Sequence, residues 1–350
     1  MPPSISVVAA FQPTSYSAYS TIRTEQDQCN IYHHRPGNKR ATRLLSTSST
    51  SFQPPKPPES KGDAIFPDVD IWSNKPPTEV AQERNSDPDA VFVVNGASRG
   101  IGLQMVKSLL DRTQGTVVAC CRSPEDPNSE LQSFLTSAGG DVEKRVVTQP
   151  LDLESQGTID SLAEYLKANH NKRVDGLFNV AGILGDGSST PGPERSLAQM
   201  DRDWLNHSFQ VNVIGHVMLI KALKPMMRSL GSSKNSQARP TSVIVNLSAR
   251  VGSISDNGLG GWYSYRMSKA ALNQATRTMA HELKRQGTYA IAVHPGTTDT
   301  GLSKPFQKNV KPEKLFPVDF TVNQILNVVD QLGEEHTGGL FDWAGKAIPF

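Results

Sequence analysis

The chain is 350 residues long, 37% apolar and 20% charged, and its lysines plus arginines exceed its aspartates plus glutamates by only two. That length can bury one large α/β core or two small ones, and so even a charge balance points to neither nucleic acid nor an anionic membrane as partner. With 3 cysteines, two of them adjacent, and no apolar run of bilayer length, neither a disulfide framework, a zinc site nor a membrane span is expected, which leaves small molecules as ligands.

From Met1 to about Pro88 the sequence is rich in Ser, Thr and Pro and shows no sustained apolar period. Residues 1–50 carry Arg23, Arg35, Lys39, Arg40 and Arg43 against Glu25 and Asp27, a composition suited to a transit peptide for a mitochondrion or plastid, or to a disordered tail of a cytoplasmic protein. Residues 51–89 turn Pro-rich and acidic (Glu59, Asp63, Asp68, Asp70, Glu79, Glu83, Asp87, Asp89), as a solvated linker outside the core would. From residue 90 onward short β-branched runs alternate with longer helical patterns, which predicts one doubly wound, Rossmann-type parallel sheet of about seven strands over 90–350.

The strands are expected at Val91–Asn95, Thr116–Cys121, Arg145–Thr148, Gly176–Val180, Ser242–Leu247, Ala290–His294 and near Gly339–Phe341. The clearest helices are Ile101–Leu110, Thr158–Ala168, Trp204–Leu223, Ser264–Arg285 and Val322–Leu332. The first strand runs into Asn95-Gly96-Ala97-Ser98-Arg99-Gly100-Ile101-Gly102 and then a helix. Glycines between a strand and a helix allow a tight turn and close approach of a pyrophosphate to free helix N–H groups, so this is the candidate dinucleotide site. The second strand ends in Cys121-Arg122 without the acid that would bind ribose hydroxyls, and Arg99 adds a second cation. Arginine attracts a 2′-phosphate, so NADP(H) is favoured over NAD(H).

These residues, with Asn179-Val180-Ala181-Gly182, Asn212, Tyr265-Arg266-Met267-Ser268-Lys269 and Pro295-Gly296-Thr297-Thr298-Asp299-Thr300, resemble the short-chain dehydrogenase/reductase family in order and spacing from Val91 to Phe350. The likeness is greatest to its C-factor-like and carbonyl-reductase branch, in Leu247–Ile254 and from His294 to Leu315. The resemblance implies cofactor contacts from Gly96, Ser98, Arg99, Gly100, Ile101, Gly102, Arg122, Asp152 (to adenine), Asn179, Ala181, Gly182, Tyr265, Lys269, Pro295, Gly296 and Thr300. It also implies Tyr265 as general acid/base, Lys269 as its partner and ribose ligand, Asn212 in a proton relay, and a serine that binds the substrate oxygen. Three positions depart from the family pattern: Asn95 replaces a threonine, Val180 an asparagine, and Ala249 the second member of a serine pair. The serine role therefore falls to Ser248, if the strand bends at its end, or to Ser253.

Tyr265 and Lys269 are four apart on a helix, hence on one face, and an ammonium beside a phenol should bring its pKa toward neutrality. Reduction of an aldehyde or ketone, or oxidation of the alcohol, is the expected chemistry, with a small-molecule carbonyl or alcohol as substrate. The alternative is a C-factor-like nucleotide-binding signalling protein without significant turnover, or an assembly partner that keeps the cofactor for stability. His207, His216 and His281 lie on expected helices without acids at ligand spacing, so packing or solvent exposure explains them and no metal is expected. The long helices Trp204–Leu223 and Ser264–Arg285 are the surfaces through which the family commonly associates, which makes a homo-oligomer an expectation of the resemblance.

Overall fold

In the computed structural model the described residues are 52–59, 64–227 and 239–350, all within the unit Ser51–Phe350; the transit-peptide reading of 1–50 lies outside them. Thr78 caps α1 (Glu79–Ser86) by accepting from Ala81 N, and the chain then enters β1 (Val91–Asn95), buried at every position. There follow α2 (Gly100–Arg112), β2 (Thr116–Cys121), α3 (Glu130–Ala138), capped by Ser129, the single turn α4 (Asp141–Arg145) and β3 (Val146–Pro150). Next come α5 (Gln156–Asn169), β4 (Gly176–Asn179), α6 (Arg202–Phe209) and, after a π-helical turn at Gln210–Ile214, α7 (Gly215–Leu223). The chain closes with β5 (Ser242–Leu247), α8 (Tyr263–Leu283), β6 (Thr288–His294), the short pair β7 (Thr297–Thr298) and β8 (Leu315–Phe316), α9 (Val318–Asp330) and β9 (Leu340–Asp342).

Seven strands form one sheet in the order β3-β2-β1-β4-β5-β6-β9, parallel throughout. This is the expected doubly wound sheet. Alternation along β1 separates its two faces: Phe92 and Val94 pack with Leu109 of α2 and Ile325 of α9, while Val91 and Val93 pack with Leu162 of α5 and Leu219 of α7. Strand order reverses between β1 and β4, which opens the crevice at the C-terminal edge where ligands of such sheets bind.

The solvated linker expected over 51–89 is not what its described part forms. Val69 is 1% exposed and its N–H donates to Gly345 O, Trp72 Nε1 donates to Ala344 O, and Phe66 meets Phe341 edge-on. Further along, Ala81 and Arg84 of α1 are buried, and Thr78 N donates to Asp330 O. Acidic residues here have local uses that composition does not reveal: Asp68 accepts from Ala347 N and pairs with Lys346. The stretch is a strap across the fold, with apolar anchors too widely spaced to show a period.

Candidate active site

The turn after β1 is closed by two hydrogen bonds, from Gly96 N and Ala97 N to Cys120 O on the neighbouring strand. Gly96 has φ +83°, and a Cβ there would lie 2.7 Å from Ala181 N; a Cβ on Gly102 would lie 2.0 Å from Gly96 O. Both positions exclude any side chain, so the loop lies flat against the Asn179–Gly182 segment. Arg99 precedes α2 without giving it a side-chain cap, leaving the first-turn N–H groups open to an anion. Thr300 arrives from the distant Pro295–Thr300 motif to within contact of Gly100. Ser98, Gly96, Gly100, Ile101 and Gly182 are half-buried along this rim, as are Asp152, Ala181, Pro295, Gly296 and Thr300.

Arg99 and Arg122 are exposed at the ends of the loop and of β2, and neither makes an ion pair among the described residues. Two cations without partners beside an uncapped helix N-terminus suit a phosphorylated ribose better than a free diol. Asp152 follows β3 and accepts from Glu154 N. The side chain of Asn179 is fully buried and committed to its neighbours in the sheet, so only its backbone can face a nucleotide.

Tyr265 and Lys269 lie one turn apart near the start of α8, with the ammonium 5.6 Å from the phenol ring centre. Lys269 is 3% exposed and donates to Leu247 O at the end of β5, 2.8 Å away. Desolvation lowers this lysine to about 8 and pushes the half-buried Tyr265 up to about 12. The phenol pKa near neutrality expected from the ammonium is therefore not met by the protein's own groups: burial is what shifts Tyr265, and the ammonium is directed at the Leu247 carbonyl. With those shifts a protonated phenol stands beside the lysine at pH 7.

Asn212 reaches this pair through the π turn, which interrupts the single helix expected over Trp204–Leu223. Its Oδ1 accepts from Ile183 N at 2.8 Å, and its Nδ2 donates to Ile183 O and to Ser268 Oγ at 2.9 and 3.1 Å. The side chain thus clamps the segment after Gly182 to α8. Of the two candidate serines, Ser248 donates to Asn273 Oδ1 at 2.5 Å, while Ser253 donates to Pro349 O and accepts from Asp256 N. Both are buried and both hydroxyl protons are used away from the phenol, so the assignment of Ser248 as the substrate-binding serine is not supported. The strand runs regularly to Leu247, without the bend that the assignment required.

Below this edge lies a row of buried amides that sequence reading did not reveal. Asn95, Asn179 and Asn246 are register partners on β1, β4 and β5. Asn95 Nδ2 donates to Asn179 Oδ1 at 3.5 Å, Asn179 Nδ2 to Asn246 Oδ1 at 2.8 Å, and Asn246 Nδ2 to Thr276 Oγ1 on α8 at 2.8 Å. At the other end Asn95 also donates to His216 Nδ1, whose Nε2 donates to Ala181 O. Burial, together with the Lys269 charge, holds His216 down to about 3, hence neutral. Register over so many intervening residues is what conceals the row; the amides at three strand ends were its only signal.

A reversal of strand order above an open helix N-terminus is the architecture of dinucleotide-binding oxidoreductases. Within that class the short chain dehydrogenase model matches residues 90–311, and the chain belongs to this family. C-signal of Myxococcus xanthus is 31% identical over 177 residues, covering 51% of this chain and 93% of that protein. Benzil reductase ((S)-benzoin forming) of Saccharomyces cerevisiae is 28% identical over 232 residues, covering 65% of this chain and 78% of that one. The NADPH-bound carbonyl reductase from chicken fatty liver superposes with a TM-score of 0.63 at 27% identity, covering 75% of this chain and 99% of its own. The protein is thus an oxidoreductase of the short-chain dehydrogenase type, with carbonyl reductases among its relatives.

Proposed function

We propose that the protein interconverts an aldehyde or ketone and its alcohol with NADP(H), using Tyr265 as general acid/base. The observation that carries this is the pairing of a protonated phenol and a buried ammonium on α8, at the sheet edge that also bears the open N-terminus of α2. Arg99 and Arg122 would hold the 2′-phosphate, and the α2 N-terminus the pyrophosphate. A nicotinamide bound along this rim would supply the hydride. For the chain's own part, Tyr265 gives its proton to the developing alkoxide oxygen, and the Lys269 charge offsets the phenolate that remains. Asn212 keeps the Ala181–Ile183 segment fixed against α8.

A second reading, a signalling protein that binds the nucleotide with little turnover, draws on the likeness to C-signal and on the diversion of both candidate serines. NADPH consumption against a panel of aldehydes, ketones and quinones separates the two. Turnover lost in Tyr265→Phe is the expected result, and binding without turnover across the panel would favour the second reading. Residues 1–50 are proposed as a transit peptide to a mitochondrion or plastid, which the mass of the mature N-terminus tests.

A further inference from the structure

The N-terminus of α8 lacks a cap of its own. Trp262, the residue before it, is in the left-handed region at φ 55° and contributes no side-chain hydrogen bond, a conformation that costs a bulky residue on the order of 1 kcal/mol or more. The missing acceptor comes from elsewhere. Glu194, at the end of the loop on the substrate side, is 2% exposed and turns its carboxylate onto this helix end. Its Oε2 accepts from Ser264 N at 3.1 Å, its other oxygen accepts from Ser264 Oγ, and its main-chain O accepts from Trp262 N. It makes no ion pair among the described residues, so its charge is offset by these donors and by the positive end of the helix. Tyr265 is the next residue.

The rest of that loop is also held. Asp186 accepts from Ser188 N, Ser189 N and Thr190 N at 2.8, 2.9 and 3.1 Å, and a Cβ on Gly192 would strike Trp204 Nε1 at 2.6 Å. Trp262 in turn faces both the Tyr265 ring, centres 6.3 Å apart, and the Phe306 ring at 5.4 Å on the opposing loop. A shift of the loop around Glu194 therefore pulls directly on the turn that carries the phenol.

Resting on the oxidoreductase reading above, we propose that Glu194 is a positioning residue for Tyr265. Its buried carboxylate caps α8 one residue ahead of the phenol and sets the phenol's place relative to Lys269. The role is geometric: what matters is an acceptor for Ser264 N and a partner for Ser264 Oγ, and the amide of glutamine supplies both.

The test compares Glu194→Ala and Glu194→Gln with Val69→Ala, a strap variant whose backbone bonds Gly345 rather than this helix end. For Glu194→Ala the expected result is a fall in kcat of roughly tenfold to a hundredfold, with KM and the NADPH dissociation constant within threefold of the parent. Glu194→Gln should restore kcat to within about threefold, and Val69→Ala should lower Tm without touching kcat. Should Glu194→Ala not fold, Ser264→Ala, which removes one of the bonds, should show the same split at a few-fold. Amide exchange in the peptide covering residues 262–268 reads the cap without any turnover, so it stands even if no carbonyl substrate is found: exchange should quicken there in Glu194→Ala and not in Glu194→Gln. The proposal is overturned by wild-type kcat in the alanine variant, by a glutamine variant as impaired as alanine, by a loss confined to KM, or by unchanged exchange at 262–268.

Discussion

The two ends of the sheet differ in what holds their most buried cations, Arg84 and Lys269. At the N-terminal edge, where α1 lies, charged groups stand in ion pairs: Arg84 with Asp330, Arg112 with the same carboxylate, and Arg173 between Asp87 and Asp175. At the C-terminal edge, where the Arg250–Asp342 pair and the Glu194 carboxylate also lie, the groups next to Tyr265 are neutral amides and hydroxyls around one lysine whose ammonium bonds a carbonyl rather than a carboxylate. The difference shows what each end is for. Pairing cancels charge and fixes geometry, which serves stability, whereas an ammonium with no counter-ion keeps its field available to a group that becomes negative only during reaction.

The strongest way to break this comparison is at the phenol. Tyr265→Phe should lower kcat by about a thousandfold or more while leaving Tm and NADPH affinity near the parent values; substantial residual activity would end the assignment. For the strap the outcome should invert. A chain beginning at Ser86 loses the buried Val69, Ala81 and Arg84 and leaves Asp330 short of a partner, so it should be less stable by about 3 kcal/mol or more. Its kcat at temperatures where it stays folded should be unchanged. Denaturant unfolding against the full chain measures the first, and a strap deletion with undiminished stability would return the segment to a linker.

A smaller effect sharpens the electrostatic side of the catalytic edge. Arg122→Asp should weaken NADPH binding by roughly tenfold to a hundredfold while hardly weakening NADH, because it exchanges attraction for repulsion at the 2′-phosphate alone; equal losses would remove Arg122 from the site. The mildest test needs no mutation. With Lys269 lowered to about 8 from its ordinary 10.5, kcat should decline as pH rises through 8 and the ammonium is lost. Between about pH 8 and 10.5 the unfolded chain binds the extra proton, so this group's contribution to stability rises with pH across the same window. Activity and Tm should therefore move in opposite directions, and Lys269→Met should abolish that component of the Tm rise.

What the sequence determines by itself is whatever local periodicity and short spacing encode. The β-branched runs at Val91–Asn95, Thr116–Cys121 and Ser242–Leu247 became strands with those bounds, because a strand buried on both faces needs an unbroken apolar run. The glycine turn and the four-residue step from Tyr265 to Lys269 are equally local, and both lie at the C-terminal edge. Tertiary structure decided what depends on register and on distant partners. It joined Asn95, Asn179 and Asn246 into one row, placed Glu194 on a helix that begins 69 residues later at Tyr263, and swung Asn212 inward through a π turn that no propensity marks. It also bound Ser248 to Asn273 and Ser253 to Pro349 and drew an acidic, Pro-rich stretch onto the fold. In each case a polar side chain's partner is set by where the sheet and helices bring the backbone, and hydrogen bonding of buried groups must be satisfied there whatever the sequence separation.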